Sequence, residues 1–134
     1  VEAPDATTLA IVAGRAAKLR GLSRERVADE LLRILALPDP VPVARLMLNS
    51  GVMAEILPEA LDGGVMRLHA LVQAESAAGV AADAGRRLAA LLAADALAAD
   101  KAAARLKLSN RLRKRIGVAL SGAVDRDARV LAYR

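Results

Sequence analysis

The chain has 134 residues, 55% of them hydrophobic, a formal net charge of +5 and no cysteine, which excludes disulfides, thiolate metal sites and a cysteine nucleophile together. Tyr133 is the sole aromatic residue, so the interior must be built from Leu, Val, Ile, Met and Ala, and nucleic-acid bases cannot be read by stacking on a row of rings. No alternating β-branched run bounded by turns suggests a sheet. The expected fold is therefore all-α, a compact irregular array of roughly seven to nine short helices.

In chain order, residues 5 to 20 are expected to form a first helix. Leu9, Val12, Ala16 and Leu19 recur at helical spacing, and Arg15, Lys18 and Arg20 lie near the C-terminal end, where the helix dipole favours cations. Gly21 ends it. Ser23 can then accept a hydrogen bond from the free N–H groups of a second helix, with Glu25 in its first turn. Val27, Leu31, Ile34 and Leu35 form the apolar stripe of that helix, with Arg26, Glu30 and Arg33 on the wet side and Asp29 with Arg33 as a surface pair.

Pro38 stops this helix, and Asp39-Pro40 reads as the N-cap and first residue of the next. Val43, Leu46 and Met47 form its core face, and Gly51 suits the left-handed position that terminates it. A short helix and Ile56-Leu57-Pro58-Glu59 close the unit. After the turn Leu61-Asp62-Gly63-Gly64, a helix over about 65–77 presents Val65, Leu68, Leu71 and Val72. Gly79 and Asp83 separate it from a short helix over 86–92. Asp95 can cap an Ala-rich helix reaching about Leu106. Ser109 can cap one carrying Leu112, Ile116, Ala119 and Leu120 that Gly122 ends, with a frayed turn over 125–132. No strict repeat marks a solenoid.

The positive charge is local. Residues 101 to 115 hold Lys101, Arg105, Lys107, Arg111, Arg113, Lys114 and Arg115 without an acidic residue. On a helix from Asn110, Arg111, Lys114 and Arg115 are i, i+3, i+4 neighbours, so three like charges repel on one side unless a polyanion lies across from them. Chemistry on the chain itself is not expected. His69 has no companion histidine for a metal or general-base site. Asp125-Arg126-Asp127 lacks a preceding Gly-Ser strand, and Gly63-Gly64 lacks the Lys of a phosphate loop. No catalytic residue, metal or cofactor is assigned to this chain.

The string S-x-E-R-V-x-x-E-L-L-x-I-L from Ser23, followed by P-x-x-x-x-R-L-M-x-x-x-G-V-M from Pro40 and I-L-P-E from Ile56, resembles the segment behind the catalytic head of bacterial tRNA nucleotidyltransferases and poly(A) polymerases. In that family an α/β head is followed by helical neck, body and tail regions that hold the RNA. The resemblance is dense over residues 22 to 59 and looser to about Leu120. It implies a neck end over 1–21, a body segment over 22–60 and a body or tail segment over 61–134. The partners it implies are tRNA or another structured RNA and the catalytic head of the same protein, where Mg and a nucleoside triphosphate would bind.

By that reading the chain is inactive alone, and the expected phosphate contacts are Arg105, Lys107, Arg111, Lys114 and Arg115, with Arg86 and Arg87 as weaker ones. Beginning at Val1, with no signal peptide and no uncharged stretch long enough to span a bilayer, it is expected to be a fragment or processed chain of the cytoplasm. Two alternatives use the same residues. Residues 102–109 and the helix after them resemble a DNA-binding helix-turn-helix with 109–120 as recognition helix, although Lys107 stands where that turn commonly has Gly. The basic face could also serve a helical protein-interaction module with an acidic partner.

Overall fold

The computed structural model describes residues 13–14, 18–19, 21–93 and 95–120. Helices are α1 (Arg24–Leu35), α2 (Val41–Ser50), α3 (Val52–Ile56), a 3-10 turn (Pro58–Leu61), α4 (Gly64–Ala78), α5 (Ala84–Leu92) and α6 (Ala96–Arg105). Residues 110–120 form a further helix, α7, and no strand occurs among the described residues. The fold is all-α.

Local signals set most boundaries. The Ser23 and Ser109 hydroxyls accept from the N–H groups of Arg26 and Leu112, and the Asp83 and Asp95 carboxylates from those of Arg86 and Leu97, so each orphaned first turn gains a partner. Val41 N–H donates to Asp39 Oδ1 at 3.2 Å, with Pro40 already in helical geometry. Gly51 ends α2 with φ 86°, a conformation that costs a residue without Cβ nothing.

The hub is α5, which touches α1, α4, α6 and the 3-10 turn. Leu88, Leu91 and Leu92 lie at i, i+3, i+4 and are fully buried, each worth about 1.5–3 kcal/mol over leaving it in water. Gly64, at the start of α4, lets that helix meet the end of α5. A Cβ there would lie 2.7 Å from the Leu91 carbonyl oxygen and 3.0 Å from Ala60 Cβ. Beside it the Arg67 guanidinium donates to the carbonyls of Ala90 (2.8 Å), Leu91 (3.1 Å) and Asp62 (2.8 Å), serving acceptors that the end of α5 leaves open.

Two expectations about α1 need correction. Glu30 is buried, 6% exposed, rather than on the wet side. Lys18 at 4.0 Å and Arg33 at 3.9 Å flank its carboxylate, and Lys18 comes from outside α1, where the pattern of that helix alone does not reach. Arg33 accordingly pairs with Glu30, not with Asp29. A larger omission is Glu75, which closes the apolar stripe of α4 yet is 5% exposed. It takes charge-assisted hydrogen bonds from Arg86 Nη1 (2.8 Å) and Arg87 Nε (3.0 Å), which offset the cost of burying a carboxylate.

Candidate nucleic-acid interface

Most of the basic run is matched by carboxylates brought in from other elements. Arg105, the last residue of α6, grips Glu59 with two parallel bonds of 2.6 and 2.7 Å and donates to the Ile56 carbonyl at 3.3 Å. The pairing holds the Glu59 carboxyl below its ordinary range and raises the Arg105 guanidinium. Lys107, in the turn between α6 and α7, has φ 54° and reaches Glu25 Oε1 at 3.2 Å. Arg113 meets Asp100 at 3.1 Å.

Arg115 Nη2 donates to Asp83 Oδ2 at 2.6 Å. The Arg86 backbone N–H is the larger cause that keeps the Asp83 carboxyl low, with Arg115 adding to it. The three-cation face expected on α7 is therefore divided, because Arg115 turns to the first turn of α5. Arg111, Lys114 and, on α6, Lys101 are exposed and make no ion pair with described residues.

Arg86 and Arg87 are adjacent in sequence and opposite in setting. Arg86, 40% exposed, bonds Glu75 and the Ala81 carbonyl at 3.2 Å. Arg87 is 3% exposed and donates to Glu75, to the Leu35 carbonyl at 2.7 Å and to the Leu37 carbonyl. It ties α4 and α5 to the end of α1 and does not face solvent, so its expected place among the phosphate contacts is not one its surroundings allow. The i, i+1 step of a helix turns a side chain by about 100°, which separates the two arginines.

Arg86, Lys114 and Arg115 come together at a cleft of about 410 Å³ between α5 and α7, with Gly85, Val118 and Ala119 completing its lining. A second cleft of similar size, lined in part by Asp39, Gln73, Ser76 and Arg87, lies between α4 and the link after α1. His69 is half-buried, its ring 3.5 Å from the Gln73 amide. Among the described residues no three His, Asp or Glu side chains assemble as metal ligands, and no helix is long and apolar enough to cross a membrane. Asp125, Asp127 and Tyr133 lie outside the described residues.

Residues 4–62 match the family model described as "Probable RNA and SrmB- binding site of polymerase A". No curated protein and no solved structure matches the chain. The matched stretch ends before α4, so none of the expected phosphate contacts falls inside it. Two of them are nonetheless anchored on it, Arg105 through Glu59 and Lys107 through Glu25. Within the match, Arg24, Arg26 and Arg45 are exposed cations that were not among the expected phosphate contacts. The signal was faint, since Arg24 and Arg26 flank Glu25 and Arg45 stands alone on α2.

Proposed function

We propose, taking as premise that residues 4–62 form a helical RNA-binding region of the poly(A) polymerase family, that the chain holds structured RNA by its phosphates. The finer reading is that the RNA is tRNA and that its 3′ end is directed to a nucleotidyltransferase head in the same protein. The family match carries this proposal. Exposed Arg24, Arg26 and Arg45 inside it, and Lys101, Arg111 and Lys114 beyond it, support a grip on backbone rather than bases, as does the near absence of aromatic residues. By the same reading, Mg and the nucleoside triphosphate would belong to that head.

Binding of this kind releases counterions and weakens steeply with salt. The test is fluorescence anisotropy of a labelled tRNA at several salt concentrations, with duplex DNA of matched length as competitor. Saturable binding that falls with salt and resists the DNA is expected. No binding at low salt overturns the proposal.

One observation favours a second reading. Lys107 adopts the left-handed backbone that glycine commonly supplies in the turn of a DNA-binding helix-turn-helix, so the lysine does not remove that turn conformation. Preference for a particular duplex over tRNA in the same competition would select it.

A further inference from the structure

We propose that the cleft between the first turn of α5 and α7 is a binding site for RNA backbone phosphate, outside the segment of residues 4–62. The proposal rests on the RNA-holding function above and gives it a second place of contact. Three cations from two helices converge there, Arg86 from α5 and Lys114 and Arg115 from α7. Gly85 permits the convergence. A Cβ at that position would lie 3.0 Å from Arg115 Nη1 and 3.2 Å from Leu112 Cδ1, so the missing side chain is what lets the guanidinium lie against α5.

The nearby carboxylates are already engaged. Asp83 accepts from the Arg86 N–H and from Arg115, and Glu75 from Arg86 and Arg87. Of the three cations at the cleft, Arg86 and Arg115 are thus paired, and Lys114 is exposed and without an ion-pair partner among the described residues. Arg111 stands one turn before Lys114 and extends the positive row along α7. A chain of phosphates can follow such a row, whereas a single small anion would engage the cleft alone.

Val118, 73% exposed, and Ala119 form an apolar wall on which a ribose can rest. The volume of about 410 Å³ falls within the range of about 300–1,000 Å³ typical of small-ligand sites.

The experiment compares the full chain with its Lys114→Gln and Lys114→Glu variants, using a labelled RNA hairpin in anisotropy titrations over a salt series. Lys114 is exposed and makes no ion pair with a described residue, so the far-ultraviolet circular dichroism and the urea midpoint should not move. The slope of log affinity against log salt should fall by about 0.7 to 0.9 in Lys114→Gln, the loss of one phosphate contact, and further in Lys114→Glu. If the unaltered chain binds the hairpin and both variants keep its slope, the cleft is not a contact and the proposal is overturned while the RNA-holding function stands. If the unaltered chain does not bind at low salt, that function falls and this proposal with it. Lys114-dependent binding of hexaglutamate without binding of the hairpin would overturn it in favour of an acidic protein partner.

Discussion

Arg86 and Arg87 show how much a single position on a helix decides. Arg87 is sealed among Glu75, the end of α1 and the start of the link beyond it, with its donors on Glu75 and two backbone carbonyls. Arg87→Ala would leave those carbonyls without their donor and Glu75 with Arg86 alone, which should cost about 3–5 kcal/mol, as breaking a buried pair does. Arg86→Gln removes a partly exposed bond and should cost about 1 kcal/mol or less. Urea denaturation followed by circular dichroism measures both, and equal losses would refute the assignment. The two residues were indistinguishable in the sequence, since an arginine pair at the start of a helix says nothing about which of them faces α1. The burial of Glu75 was hidden for the same reason, because the residue that compensates its charge lies twelve positions away.

At the scale of elements the sequence was far more legible. Ser23, Asp95 and Ser109 cap the helices they were expected to cap, Asp83 proves to be a cap where only a break between helices was expected, and Gly51 has the left-handed backbone expected of it. These signals are local, so tertiary structure did not override them. What a local signal cannot carry is the approach of two helices, and Gly64 is the example. Alanine is about 1 kcal/mol better than glycine inside a helix, so the helix taken alone predicts a gain from Gly64→Ala. In the fold the new Cβ would press on the Leu91 carbonyl oxygen, a backbone atom that cannot rotate away. The substitution should instead destabilise the protein by about 1–3 kcal/mol, the usual cost of overpacking. A raised thermal midpoint would show that α4 and α5 separate freely.

For the molecule as a whole, the basic run of residues 101–115 looked like an unopposed charge, but folding brings Glu25, Glu59, Asp83 and Asp100 against it. Those acids come from as far away as 82 positions, beyond any spacing rule, which is why the sequence overstated the cations left for a partner. Two of these pairs, Lys107 with Glu25 and Arg105 with Glu59, join the later helices to the segment that carries the family match, and the paired carboxylates make a testable dependence on pH. Glu59 and Asp83 have their carboxyl pKa values lowered from ordinary values of 4.5 and 3.8, Glu59 chiefly by the Arg105 hydrogen bonds and Asp83 chiefly by the Arg86 N–H. As pH falls through those ordinary values, the unfolded chain takes up protons that the folded chain still refuses, so the unfolded state is favoured. Stability from these groups should therefore be complete above about pH 5 and be lost progressively below it, until the folded carboxyls are protonated too. Glu59→Gln should lower the urea midpoint at neutral pH and make the acid limb shallower, because the variant has one fewer carboxylate to protonate. An acid limb of unchanged steepness would mean that the bond between Arg105 and Glu59 contributes nothing to holding α6 on the segment of residues 4–62.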